Sequence, residues 1–98
     1  LHADPKTDYP FFWGHADESG GNILNLPLPR GTEFAAYDQA LARALDWIGE
    51  DAPELLIVSY GADTYAGDPI SHFDLQTGDY TRLARRIAAL GVPTLIIM

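Results

Sequence analysis

The stretch from Gly61 to Gly78 gathers the densest set of residues able to do chemistry: Asp63, Asp68, His72 and Asp74, punctuated by glycines at its two ends and at Gly67. Connections between a strand and a helix usually run about 2 to 6 residues, and much longer ones are commonly binding or active-site loops. Gly61 lets the backbone turn sharply out of the apolar run before it, which would aim Asp63 over the end of a strand. A carboxylate placed there suits a metal ion. The competing reading is that Asp63 caps a turn by bonding its own backbone, as aspartate often does. Asp68 precedes Pro69, a turn pairing, and reads as structural.

Other candidate groups lead less far. His2 with Asp4 and His15 with Asp17 form two His-x-Asp pairs that could each offer two ligands. Zinc, however, normally takes about three or four protein ligands in fixed geometry, and no helix holds these pairs, so hydrogen bonding is the favoured reading. His72 stands alone as an acid or base. Ser59 and Ser71 lack the Gly-x-Ser-x-Gly setting of an activated serine, and the glycines of Gly61–Gly67 lack the Gly-Lys-Ser/Thr ending of a phosphate-binding loop. The chain has no cysteine, which removes disulfides, thiolate metal sites and cysteine nucleophiles and leaves any metal to histidine and carboxylate; the compartment expected is cytoplasmic. Fourteen acidic against six basic residues give a net charge of −8, which argues against binding a phosphate backbone. It could help attract a cationic substrate, although an acidic, solubilising surface explains it as well. No apolar run approaches the roughly 18 residues of a membrane span.

The elements that must position these groups follow from hydrophobic pattern. Leu1–Gly21, broken by Pro5, Pro10, Gly14 and Gly20, reads as an ordered loop with Tyr9, Phe11, Phe12 and Trp13 as apolar anchors. Asn22–Leu26 suits a short strand ended by Pro27 and Pro29. Thr32 has the type of a helix N-cap. Phe34, Tyr37, Leu41, Leu45 and Ile48 then share one helical face that Gly49 can end. Leu55–Tyr60 and Thr94–Met98 are nearly continuous apolar runs, as in parallel strands covered on both faces, and Asp79–Leu90 between them repeats apolar residues at helical spacing. The second half is therefore a βαβ unit, whose ligand sites lie beyond the C-terminal ends of its strands. Two short helices can hardly cover both sheet faces. With Leu1 in place of an initiator Met and Met98 inside an apolar run, both ends read as interruptions of a longer domain.

The run Gly61-Ala62-Asp63-Thr64-Tyr65-Ala66-Gly67-Asp68-Pro69-Ile70-Ser71, directly after an apolar strand, resembles the signature loop of the histone deacetylase superfamily. Leu1-His2-Ala3-Asp4-Pro5, Tyr9-Pro10-Phe11-Phe12-Trp13-Gly14 and Asn25-Leu26-Pro27-Leu28-Pro29 with Gly31-Thr32 resemble its bacterial acetylpolyamine amidohydrolase branch in the same order. That resemblance implies an arginase-like three-layer α/β fold, with a parallel sheet flanked by helices, of which residues 1–98 are one part. It implies a zinc ion held by an Asp-x-His pair and a further aspartate that matches Asp63. It also implies that the Leu1 carbonyl helps hold a structural potassium ion, and that Tyr9 and Ile70 line the tunnel admitting an acetylated side chain. Phenylalanine is the common residue at the first of these wall positions, so Tyr9 alters its polarity. The Asp-x-His strand and a tandem histidine pair would precede Leu1, and a tyrosine would follow Met98, so no catalytic residue falls within the chain.

The function expected is metal-assisted removal of acetyl groups from acetylated amines, polyamines first and protein acetyl-lysine second. The 98 residues alone are expected to be inactive. A homo-oligomer is compatible with this reading, and nucleic acid and membrane are not expected partners. A different class of function, a non-catalytic α/β module that binds a partner through its aromatic loop, would need no metal.

Overall fold

In a computed structural model, which describes residues 1–98, the chain forms two parallel strand pairs and two helices. Strand β1 (His2–Ala3) pairs with β2 (Pro27–Leu28), helix α1 (Phe34–Glu50) follows, and β3 (Leu56–Ser59) pairs with β4 (Thr94–Ile97) across helix α2 (Thr77–Ala88). The register Leu56↔Thr94 through Ser59↔Ile97 is that of the expected βαβ unit. Tyr60 extends the ladder by donating its N–H to the Ile97 carbonyl at 2.8 Å.

Several boundaries differ from the pattern of the sequence, each for a local reason. The expected strand Asn22–Leu26 lies slightly downstream, at Pro27–Leu28. There the N–H groups of His2 and Asp4 donate to the carbonyls of Leu26 and Leu28, so the ladder asks nothing of the prolines, which have no N–H to give. Thr32 is not the helix cap. It is buried, its hydroxyl donates to the Pro29 carbonyl at 2.6 Å, and Glu33 takes the N-cap position. Helix α1 runs through Gly49 to Glu50, and the reversal falls on Ala52, whose φ is 44°. Helix α2 starts and ends two residues earlier than its apolar repeat suggests. The Asp79 carboxylate accepts the N–H of Gln76 at 2.9 Å at its start, and Gly91 at φ 73° turns the chain away after its end.

The core lies between the helices and the segments that cross their inner faces. Leu41 and Leu45 of α1 and Leu83 of α2 pack with Leu28, Phe73 and Leu75. Phe73 and Leu75 come from the long loop, and Leu75 is fully buried. On the outer side the helices are bound by Arg86, which donates from Nε and Nη2 to the two carboxylate oxygens of Asp38 at 2.5 Å each, and by the Arg82 guanidinium stacked 3.5 Å from the centre of the Phe34 ring.

The β3–β4 pair is covered incompletely. Val58 and Ile96 line the cavity on the helix side, where Ile96 is still exposed, and Ile57, Leu95 and Ile97 on the opposite face are exposed too. Parallel pairs are normally buried on both faces, so this face has the composition of an inner layer. Truncation of Leu75 to Ala should lower stability by about 2 to 5 kcal/mol, the range for a fully buried leucine, and urea unfolding of both forms measures it.

Candidate functional site

Beyond the C-terminal end of β3 the chain enters a single 3₁₀ turn, Ala62–Thr64, with Asp63 at its middle. The turn is held from behind, where the Thr64 hydroxyl lies 2.9 Å from the Tyr80 hydroxyl on α2 and the Tyr80 ring packs edge-on to Tyr60 with centres 5.9 Å apart. Burial raises the Tyr80 phenol above its usual range against the lowering effect of the Thr64 bond, with Tyr60, Asp63 and Asp79 adding to the rise. Tyr37 is raised by burial first and then by Tyr80, Asp63 and Tyr60. Both phenols are therefore neutral hydroxyls beside the Asp63 carboxylate.

The Asp63 side chain makes no hydrogen bond to its own or neighbouring backbone, which removes the turn-capping alternative left open by its sequence setting. It folds back over Gly61 instead. A β-carbon at Gly61 would stand 2.6 Å from Asp63 Oδ1, so the glycine provides the room in which the carboxylate sits. Asp68 does cap its turn, accepting the N–H of Ile70 at 2.9 Å. Of the two His-x-Asp pairs, three side chains make local contacts: His2 Nδ1 lies 3.0 Å from the Ala3 carbonyl, Asp4 accepts the N–H of Lys6, and His15 Nε2 lies 3.1 Å from the Phe11 carbonyl.

A cavity of about 1180 Å³ opens in front of Asp63, between the sheet edge, α2 and the N-terminal loop. Its lining includes Leu1, Tyr9, Asp63, Ile70 and His72, so the four residues singled out by resemblance share one space. The remaining wall is mostly apolar, with Tyr37, Leu83 and Ile87 from the helices. Such a lining, with few polar groups, is that of a small-molecule site. Within the chain there is no group of three or more histidine, cysteine or acidic side chains close enough to hold a metal ion, so Asp63 is at most one member of a ligand set.

Pattern reading missed Asp8. It is 2% exposed, its Oδ2 accepts the Thr7 hydroxyl at 2.8 Å, its Oδ1 accepts Arg30 Nη2, and His72 Nδ1 stands 3.4 Å from the same oxygen. Nothing in the run Lys6-Thr7-Asp8-Tyr9 marks it, because its partners are distant in sequence.

A model of the histone deacetylase domain matches residues 1–98. The chain belongs to the histone deacetylase family. It is 46% identical to acetylpolyamine amidohydrolase 1 of Pseudomonas aeruginosa and 42% identical to the acetylpolyamine amidohydrolase of Mycoplana ramosa, each match covering the whole of this chain and 30% of the relative. Among solved structures it superposes on the acetylpolyamine aminohydrolase of Burkholderia pseudomallei with a TM-score of 0.91 at 37% identity, over 97% of this chain and 29% of that one. An HDAC homologue complexed with SAHA matches with a TM-score of 0.85 at 27% identity, over 98% and 28% of the two chains. The α/β fold implied by the resemblance is thus the fold of this family, and the chain spans about a third of the length of these relatives. No helix of this family member is long and apolar enough to cross a membrane.

The buried carboxylate gives a pH dependence with a definite sign. Burial acts to raise Asp8, but the hydrogen bonds from Thr7 and Arg30, together with the positive charges nearby, outweigh it and hold the group below the ordinary aspartate value of 3.8. A carboxyl depressed in the folded state contributes stability above its unfolded pKa and loses it as pH falls through the folded one. The stability advantage of the wild type over Asp8→Asn should therefore be full near neutrality and shrink as pH drops below 3.8, as urea unfolding at a series of pH values would show.

Proposed function

We propose that this chain is part of a zinc-dependent amidohydrolase that removes acetyl groups from acetylated amines, with acetylpolyamines as the preferred substrates and protein acetyl-lysine as the second choice. One observation carries the reading: a carboxylate free of protein partners stands at the C-terminal edge of a parallel strand pair, over a glycine that makes room for it, facing a largely apolar cavity. The relatives covering the whole chain support the choice of substrate, since several carry the name acetylpolyamine amidohydrolase.

In this reading Asp63 is one zinc ligand, and the others come from outside these residues. When bound, zinc supplies Lewis acidity toward an amide carbonyl and a water activated near neutral pH. The chain's own contribution is positional. Tyr60, Thr64 and Tyr80 fix the turn that carries Asp63, and the neutral hydroxyls of Tyr37 and Tyr80 leave its carboxylate as the charged group presented by this side of the cavity. Tyr9 and Ile70 form walls for the side chain bearing the acetamide, excluding water around it. The Leu1 carbonyl, at the cavity margin, is assigned to a structural potassium ion. A net charge of −8 favours approach of a cationic polyamine over a neutral amide. We place the activity in the cytoplasm, the compartment expected from the sequence.

The deciding experiment is turnover of acetylputrescine and of an acetyl-lysine peptide by the complete protein, before and after removal and restoration of zinc. Chelator-sensitive turnover with preference for acetylputrescine is expected, and no turnover of either substrate with zinc bound would overturn the reading in favour of a binding module. Loss of a partner that merely orients a metal ligand costs about 10- to 100-fold, so Asp63→Ala should cost more than that in turnover and release zinc at the same time. Metal analysis beside the assay separates ligand loss from misfolding when the variant's thermal unfolding is also recorded.

A further inference from the structure

The residues flanking the cavity mouth come from loops that are far apart in sequence, and their relative placement depends on a contact that neither loop makes alone. Asp8 adjoins Tyr9 on the N-terminal loop, Arg30 lies on the turn between β2 and α1, and His72 follows Ile70 on the long loop after β3. Asp8 meets Arg30 through one hydrogen-bonded ion pair and faces His72 Nδ1 at 3.4 Å. The circuit closes through the backbone, because Gly31 donates its N–H to the His72 carbonyl at 2.8 Å. On the other side Ile70 is fixed to Asp68, and the next residues, Ser71 and Phe73, are joined by a bond from the Ser71 hydroxyl to the Phe73 carbonyl at 2.8 Å. Tyr9 and Ile70 themselves are 82% and 70% exposed, so neither is held by packing of its own side chain.

We propose that Asp8, clasped by Arg30 and His72, is a positioning residue that sets the gap between Tyr9 and Ile70 and thereby the fit of the acetylated side chain between them. The role of Tyr9 and Ile70 rests on the function proposed above; the clasp itself rests on the geometry. Burying an ionised carboxylate in a surface loop is costly unless it is fully partnered. An apolar residue would anchor a loop to a core at less cost. What the carboxylate adds is direction: its two oxygens accept hydrogen bonds from Thr7 on its own loop and Arg30 on the turn before α1, and the otherwise unbonded His72 Nδ1 of the third segment lies against it at 3.4 Å. His72 also lines the cavity, so the clasp is part of the wall.

The test uses the complete protein with Asp8→Asn, Arg30→Gln and Arg30→Lys. The Arg30 side chain is 61% exposed, so its replacement leaves the core intact if Asp8→Asn does not fold. Hydrogen exchange followed by mass spectrometry reads the segments 9–13 and 68–73, with α1 as the internal control. Asp8→Asn and Arg30→Gln should speed exchange in both segments together by about tenfold while leaving α1 unchanged, and Arg30→Lys should restore most of the protection. For acetylputrescine, KM should rise about fivefold with kcat within about twofold and zinc content constant, the pattern of lost substrate fit without lost chemistry. Faster exchange confined to 9–13, or a fall in melting temperature with KM unchanged, would overturn the clasp as a positioning device. If the wild type turns over no acetylated amine, the enzyme reading fails, and the exchange coupling still decides whether Asp8 joins the two loops.

Discussion

The long loop after β3 is usable as a site because Leu75 ties its far end into the core. Leu75 has no exposed surface, and its carbonyl accepts the N–H of Ala66 at 2.9 Å, so the loop is drawn back on itself as well as downward. Phe73, two residues earlier, packs edge-on against Tyr37 with ring centres 5.7 Å apart, and the N–H of Asp74 reaches the Thr32 carbonyl at 3.0 Å. Alternate residues thus point inward while the backbone pairs beside the start of α1, a strand-like habit in a segment too irregular to be a strand. With that end fixed and Thr64 held by Tyr80 at the other, the turn bearing Asp63 and the wall bearing Ile70 are short spans between anchored points. Otherwise so long a connection would lose a large conformational entropy on ordering.

This division explains what the sequence disclosed. Periodicity located α1 and α2 because each buries a face whose repeat survives in the order of residues, as Leu41 and Leu45 do on α1, and continuous apolar runs located β3 and β4. It placed the ends of both helices a few residues off because caps depend on neighbours: Thr32 has the right type, but the Pro29 carbonyl and the core claim it first. Of the pair β1 and β2, a strand was expected just upstream of β2 and β1 was invisible, each being two residues long and the pairing resting on carbonyls next to prolines. Asp63 could be located by its position after an apolar strand and a glycine, a local signal. Asp8 could not, since its burial comes from Arg30 and His72, and no local spacing encodes that meeting.

Charge placement sharpens the contrast between the two aspartates. Asp8 is buried among a cation, a hydroxyl and an imidazole, and it is held ionised by them. Asp63 is exposed and carries no protein partner, although two half-buried tyrosines stand close behind it. Partnered and buried, a carboxylate is a structural tie; unpartnered at the edge of an apolar cavity, it is available to an ion or a substrate. The two aspartates are thus distinguished by what surrounds each: Asp8 is tied into the fold, and Asp63 is left open toward the cavity.

The covering of the sheet bears on which groups the cavity beside Asp63 can draw on. Helices α1 and α2 lie across the cavity from Val58 and Ile96, both faces of β4 are left exposed, and the helices contribute no acid or imidazole to the cavity beside Asp63. In a parallel sheet the groups that converge on a site come from the C-terminal ends of several neighbouring strands, because those ends share one edge. Of the two strands paired here, β3 leads directly to Asp63. Groups carried on adjacent strand ends can converge on one such point. That follows from the spacing of the sheet itself: neighbouring strands lie about 4.8 Å apart, a separation over which side chains from adjacent ends can meet around one ion.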